Sequence, residues 1–227
     1  VVDYSLLTRK LNINLTTVKT LENKGIIEIT THTMFRNTIK NTIKSGEKII
    51  LNEEQCYVAE SIIKDMENGD MMPSLIKGVT GSGKTEVYLE LIEWVINRGG
   101  DVICLIPEIS LTYQTVMRFY NRFGDIVSVI NSKMSKGERY DSFEMAKSGK
   151  IRIMIGPRSA LFTPFNRLSL IIIDEEHESA YKSENVPRYH ARETAIELAK
   201  MTGAKVVLGS ATPSLESYYN AKAGRFK

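Results

Sequence analysis

Gly78-Val79-Thr80-Gly81-Ser82-Gly83-Lys84-Thr85 decides the fold. A short apolar run, Leu75–Ile76, precedes it, and Glu86–Val95, with helical spacing, follows it. Strand, glycine-rich turn, Gly-Lys-Thr and helix is the arrangement of a phosphate-binding loop. Glycines let successive backbone N–H groups turn inward around an anion without Cβ clashes, and the helix behind them adds its positive end. Lys84 is then placed to reach the β- and γ-phosphates, and the Thr85 hydroxyl to hold Mg²⁺. Gly78, Thr80, Gly81, Ser82, Gly83, Lys84 and Thr85 are therefore candidate nucleotide-binding residues. A plain glycine-rich turn is the rival reading, but it does not explain why Lys and Thr close the loop.

Downstream, apolar runs alternate with helical patterns. Strands are expected over Leu75–Lys77, Val102–Ile106, Ile126–Ile130, Ile151–Ile155, Leu170–Ile173 and Lys205–Leu208, and helices over Thr85–Asn97, Ser110–Arg122, Lys136–Lys147 and Ala191–Met201. Apolar strands alternating with helices predict an α/β fold, a doubly wound parallel sheet covered on both faces, with ligands at the carboxyl ends of the strands. One such end carries Asp174-Glu175-Glu176-His177. Asp174 is placed to hold Mg²⁺ and Glu175 to orient and deprotonate an attacking water. Adjacent carboxylates repel, so the pair makes sense beside a cation. Without the upstream loop, a solvated acidic turn would be the better reading. Another strand end carries Gly209-Ser210-Ala211-Thr212-Pro213, whose hydroxyls can bond His177 or the acids and pass the state of the γ-phosphate to another surface. A simple helix cap explains the same residues, and the two readings are compatible.

Upstream, Asn52-Glu53-Glu54-Gln55 reads as a capping box that starts a helix, which Gly69 ends. Residues 5–29 read as two short helices and a strand over Ile26, Ile27 and Ile29. Asn14 or Thr16 caps the second helix, and Gly25 ends it. This is a winged-helix pattern, with Thr16, Thr17, Lys19, Thr20 and Lys24 as exposed residues of the second helix. A small helical bundle used for packing remains open. The expected division is a winged-helix-like α+β domain over 1–34, a linker over 35–50 and the nucleotide-binding domain over 51–227.

Composition sets outer bounds. The 227 residues are 42% hydrophobic and 25% charged, as in a water-soluble globular protein. The longest apolar run, Leu168–Ile173, is far short of the roughly 20 residues of a membrane span. Val1–Leu11 carries charge and lacks the apolar core of a signal peptide. Cys56 and Cys104 are far apart, so neither a disulfide framework nor zinc is expected, and a reducing cytoplasm fits. The net charge of +3 is uneven: residues 1–50 hold eight Lys/Arg against four Asp/Glu, and the rest 22 against 23. A basic leading segment fits a nucleic-acid contact and an ordinary solvated surface equally well.

The phosphate loop, Asp-Glu-Glu-His and Ser-Ala-Thr, in this order, resemble motifs I, II and III of superfamily 2 helicases, and Gln55 stands where that superfamily has an adenine-reading glutamine. Their surroundings narrow the likeness. Lys77–Tyr88, Ile106–Thr112, Arg158–Phe165, Asp174–Lys182, Pro187–Arg192 and Gly209–Ser217 together resemble the bacterial replication-restart helicases. The resemblance implies a RecA-like lobe of an ATP- and Mg²⁺-dependent 3′→5′ DNA helicase of the primosome, acting at stalled or abandoned forks. It gives Lys84, Asp174, Glu175 and His177 the catalytic roles and Ser210 and Thr212 a coupling role. It assigns Pro107–Thr112 and Gly156–Ser159, with Pro107, Arg158 and Ser159 named, to single-stranded DNA. Tyr181–Arg192 becomes an aromatic-rich loop that couples DNA to hydrolysis. There Tyr181, Tyr189 and His190 can stack on bases, and Lys182, Arg188 and Arg192 can meet phosphates. The implied partners are single-stranded and branched fork DNA, a single-strand-binding protein and other primosome proteins, for a cytoplasmic monomer. Pro157 departs from the small polar residue expected there. Against the family pattern the chain reads as a fragment: a 3′-end-binding domain would precede it, and a second lobe, its arginine finger and a zinc-binding insertion would follow residue 227. Weak nucleotide binding, slow turnover and no unwinding are expected of it alone. The alternatives are a nucleotide-gated DNA- or protein-binding module, an RNA helicase or restriction translocase of the same superfamily, and a P-loop kinase.

Overall fold

Six apolar runs between residues 74 and 210 lie side by side as one parallel sheet: β1 (Ser74–Lys77), β2 (Asp101–Leu105), β3 (Val127–Val129), β4 (Ile153–Gly156), β5 (Leu168–Ile173) and β6 (Lys205–Ser210), in the spatial order β1-β6-β5-β2-β4-β3. All five strand pairings are parallel. The structure is a computed structural model that describes residues 15–27 and 50–227. The chain divides into two units, Val1–Met34 and Phe35–Lys227, and the sheet belongs to the second.

Strands buried on both faces lose the polar alternation of a half-solvated sheet, and β2, β4 and β6 are buried at every position. Odd and even residues instead serve two separate cores. On one face Val102, Cys104, Ile153, Leu170 and Val207 meet helices α2 (Glu53–Glu67), α3 (Lys84–Asn97) and α4 (Tyr113–Phe123) through Ile62, Leu91 and Phe119. On the other face Ile103, Leu105, Met154, Ile171 and Leu208 meet α6 (Ala191–Thr202), whose Ala191, Ala195 and Ala199 recur every four residues. Small side chains on that stripe let the helix lie close to the sheet. Helices α5 (Lys136–Lys147) and α7 (Leu215–Lys222) complete the second unit, with Phe143 of α5 and Ala221 of α7 against this core.

Element starts follow local chemistry. Asn52 caps α2, and the reciprocal bond from its backbone N–H to Gln55 completes the capping box. α4 begins at Tyr113 rather than Ser110 because Thr112 is extended and its hydroxyl accepts from the Thr115 N–H, while Pro107–Leu111 close tight turns of their own. Ile126 falls in a 3₁₀ turn over Gly124–Ile126 rather than in β3.

In the first unit Leu15–Asn23 forms helix α1, and Gly25, at φ 68°, ends it with a hydrogen bond from the Ile26 N–H to the Leu21 carbonyl. Thr16, Thr17, Lys19, Thr20 and Lys24 are exposed. Ile26 and Ile27 belong to no strand, and the rest of the expected winged helix and of the linker up to residue 49 lies outside the described residues.

Candidate functional site

The phosphate loop, Pro107, Gly156, Asp174 and Ser210 all lie at or just beyond the carboxyl ends of strands, so a parallel sheet collects them along one edge. Gly81 and Gly83 both adopt φ 81°, which favours glycine strongly over other residues. At Gly83 space matters too: a Cβ there would lie 2.2 Å from Gln55 Nε2. Gly83 caps α3 without a side-chain hydrogen bond, leaving first-turn N–H groups toward the loop. Gln55 donates from Nε2 to the Ser82 carbonyl at 2.9 Å, and its Oε1 accepts from the Asn52 N–H. The glutamine expected at adenine thus ties the start of α2 to the phosphate loop.

Lys84 is buried, and its ammonium folds back to donate to the carbonyls of Gly78 (2.8 Å) and Val79 (3.5 Å), 3.6 Å from Glu175 Oε1. A phosphate entering the loop offers this cation stronger acceptors than peptide carbonyls. Asp174 is bonded by the buried Tyr88 hydroxyl at 3.0 Å. Burial pushes the Asp174 carboxyl above its ordinary range and the neighbouring Glu175 adds to this, against the Tyr88 bond and the Lys84 charge. Glu175 itself has φ 45°, an uncommon conformation for a side-chain-bearing residue, of the kind that concentrates at functional sites. A hydroxyl at Thr85 and a carboxylate at Asp174 are hard oxygen donors and suit Mg²⁺. Among the described residues no cluster of three or more His, Cys, Asp or Glu is placed to hold a metal.

His177 Nδ1 lies 2.8 Å from Ser210 Oγ and 3.7 Å from Glu175 Oε2, and Ser210 Oγ accepts from the Thr212 N–H. A continuous polar chain therefore runs from the loop after β5 to the turn after β6.

Three residues assigned to DNA are corrected by their burial. Tyr181 is 1% exposed, and its hydroxyl donates to the carbonyls of Leu105 (3.1 Å) and Asp174 (2.6 Å), so it packs beneath the site rather than stacking on bases. Arg192 is 7% exposed and its guanidinium is committed to Glu176 (3.0 Å), Ser214 and Ser217 (3.1 Å). Pro107 is buried, and its carbonyl accepts from the Ser110 and Leu111 N–H groups. Lys182 and Arg188 are exposed, and Ser159, Tyr189 and His190 are half-buried. Arg158 donates at 2.8 Å to both the Ala180 and Lys182 carbonyls, stapling the base of the loop that bears Tyr189. His190 accepts from the Arg192 N–H at the start of α6, and burial, then the Arg192 charge, holds its pKa below the ordinary value.

Sequence reasoning missed three participants. Phe162 is 53% exposed and meets Tyr189 edge-on, with centroids 5.2 Å apart. Glu176, read as part of an acidic turn, is almost fully buried and accepts from the Ser214 N–H and the Ser214, Ser217 and Arg192 side chains. Tyr88 reads as one more apolar residue of a helix, and only the fold brings it to Asp174.

A family model described as "Type III restriction enzyme, res subunit" matches residues 48–215. Among curated proteins the chain is 45% identical over 222 residues to "Replication restart protein PriA" of Bacillus subtilis (strain 168), covering 97% of the chain and 28% of that protein. The same name is carried by a Chlamydia pneumoniae protein, 47% identical over 78% of the chain and 24% of that protein. A third, from Haemophilus influenzae, is 43% identical over 82% of the chain and 25% of that protein. The chain thus spans about a quarter of the length of the curated relatives it matches. Among solved structures the UvsW helicase from bacteriophage T4 matches with a TM-score of 0.51 at 15% identity over 93% of the chain and 74% of that protein. The DUF1998 helicase MrfA bound to DNA matches at 0.56, with 17% identity, over 78% of the chain and 25% of that protein. Both likenesses concern the fold.

Proposed function

Since the chain belongs to the type III restriction enzyme res-subunit family, we propose that it is the ATP-binding RecA-like lobe of a DNA helicase, and, from the name its curated relatives carry, of a 3′→5′ replication-restart helicase acting at stalled or abandoned forks. One observation carries the reading: the buried ammonium of Lys84 lies 3.6 Å from the Glu175 carboxylate, with Asp174 next to it, at the sheet edge where the phosphate loop opens. A phosphate-binding cation beside a water-activating acid is what hydrolysis of a nucleoside triphosphate needs.

Bound Mg²⁺, held by Thr85 and Asp174, supplies charge neutralisation at the phosphates. The chain's own residues do the rest. Backbone N–H groups of the glycine loop hold the β-phosphate, and Lys84 exchanges two carbonyls for phosphate oxygens. Glu175 orients a water and takes its proton. His177, through Ser210 and Thr212, carries the change to the turn after β6. Lys182, Arg188, Tyr189, His190, Arg158 and Ser159 form the DNA-facing group, joined by the exposed ring of Phe162. The proposed partners are single-stranded and branched fork DNA, single-strand-binding protein and other primosome proteins, for a monomer in the bacterial cytoplasm. Among the described residues no helix is long and apolar enough to cross a membrane.

A restriction-type translocase is the second reading, favoured by the description of the matching family. The test is ATP hydrolysis by the parent full-length protein with no DNA, single-stranded DNA, a branched fork, linear duplex and RNA, beside Lys84→Ala and Glu175→Gln. Stimulation by single strands and forks, abolished in both variants, is expected. Preferential stimulation by linear duplex favours the restriction-type reading. Nucleotide binding with no DNA-dependent turnover would leave a nucleotide-gated binding module.

A further inference from the structure

Tyr88 lies one turn beyond Lys84 on α3 and is 1% exposed. Its hydroxyl meets the carboxylate assigned above to the cation, donating to Asp174 Oδ1 at 3.0 Å. The room for that hydroxyl is made by a different element: a Cβ built on Gly209 of β6 would fall 1.6 Å from the Tyr88 Oη and 2.8 Å from its Cζ. Gly209 also accepts the Glu176 N–H, so the same backbone position fixes the loop that carries the acids. From below, Tyr181 holds the main-chain carbonyl of Asp174 at 2.6 Å and that of Leu105 at 3.1 Å. Two buried phenols from different segments thus grip one aspartate, one by its side chain and one by its backbone.

Packing alone does not call for the first of them. A phenylalanine ring would fill the same space between α3 and β6 without the hydroxyl, and glycine at 209 makes room for both the ring tip and that hydroxyl, since a Cβ there would lie 2.8 Å from Cζ and 1.6 Å from Oη. What the hydroxyl adds is a fixed rotation of the Asp174 carboxylate about its terminal torsion, which is otherwise broad. We infer that Tyr88 is a positioning residue for Asp174, locking the carboxylate in the orientation in which it takes Mg²⁺ or a water of its shell, with Gly209 as the gap that admits the hydroxyl. This rests on the Mg²⁺–nucleotide reading of the site. Hydrogen-bond partners of ligating carboxylates commonly affect metal affinity by about 10- to 100-fold.

The experiment uses the parent full-length protein, with ADP and Mn²⁺ as probes. ADP affinity is measured by calorimetry in EDTA, and Mn²⁺ affinity of the ADP-saturated chain by electron paramagnetic resonance. Tyr88→Phe should weaken Mn²⁺ about tenfold or more while ADP affinity in EDTA stays within about twofold of wild type. Gly209→Ala leaves both Tyr88 and Asp174 chemically intact but displaces the hydroxyl, and should show the same split. Adding it to Tyr88→Phe should then weaken Mn²⁺ little further. Equal losses with and without metal in both variants would mean that Tyr88 only packs, and unchanged Mn²⁺ affinity would mean that Asp174 needs no such hold. Either result overturns the inference and leaves the nucleotide site standing. A wild-type chain that binds no ADP overturns the parent reading, and this one with it.

Discussion

The carboxylate of Asp174 is asked to be charged in a place that disfavours charge. Burial opposes its ionised form first, and the adjacent Glu175 carboxylate opposes it further, while the Tyr88 hydrogen bond and the Lys84 ammonium support it. The balance leaves the carboxyl above its ordinary range, so its ionised form carries an electrostatic cost at neutral pH, which a bound Mg²⁺ would relieve. Residues tuned for chemistry are often suboptimal for stability. Asp174→Asn keeps an oxygen for Tyr88 and removes the charge. Its melting temperature in EDTA should exceed that of wild type. Adding Mg²⁺ and ADP should close or reverse the gap, because the wild type binds the metal–nucleotide pair more tightly than the variant does. A variant that melts at or below wild type in EDTA would show that the Lys84 attraction outweighs burial and repulsion.

At the scale of elements, the loop after β5, the start of α6 and the start of α7 are pinned together by one buried ion pair. Glu176 and Arg192 have side chains 0% and 8% exposed and lie 3.0 Å apart, with Ser214 and Ser217 filling the remaining hydrogen-bonding positions. Burial would raise the Glu176 carboxyl, but the bonds from the Ser214 N–H, Ser217 and Arg192 outweigh it and hold the group below its ordinary range. A carboxyl depressed in the folded state stabilises above its unfolded value, and that stabilisation is lost as pH falls through the depressed one. Removing one partner strands the other charge in the interior, so Glu176→Ala and Arg192→Ala should each cost about 3–5 kcal/mol by denaturant titration near neutral pH. The double variant should cost less than the sum, since the two act through one pair. Additive losses would show that each side chain works alone. The same elements show what the sequence made legible. Lys84 and Asp174 stood out because glycine spacing and an apolar run ending in acids are local patterns. The parallel sheet stood out because strands buried on both faces are continuous apolar runs. Tyr181 and Arg192 were misread because a loop rich in aromatic and basic residues does not state which side chains turn inward. A single 3₁₀ turn over Ser179–Tyr181 carries Tyr181 under the strand ends, to the carbonyl of Leu105 on β2, 76 positions away, and to that of Asp174 just after β5. Glu176 is separated from its partners by 16 to 41 positions, a distance at which no local pattern survives.

For the molecule as a whole, the two units divide at Met34 and Phe35, and both cores of the second are built from residues 59–226. The proposed nucleotide site, the Glu176–Arg192 pair and the residues proposed to face DNA also lie wholly in that unit. The helix over Leu15–Asn23, on which Thr16, Thr17, Lys19 and Thr20 are exposed, belongs to the first unit. A chain trimmed to residues 35–227 should therefore melt cooperatively within about 3 °C of the full chain, and its ADP affinity should match within about twofold, as expected for independent units. Affinity for single-stranded DNA is the quantity that separates the two readings of the first unit. Contacts to phosphates release counterions, so removing a unit that makes them lowers the slope of log affinity against log salt by about 0.7 per contact on a single strand. A trimmed chain that keeps the full salt slope assigns DNA binding to the loop around Tyr189 alone and makes the first unit a packing or protein-contact element. A shallower slope with unchanged ADP affinity assigns it a share of the DNA. Collapse of the trimmed chain's melting transition would overturn the independence of the two units.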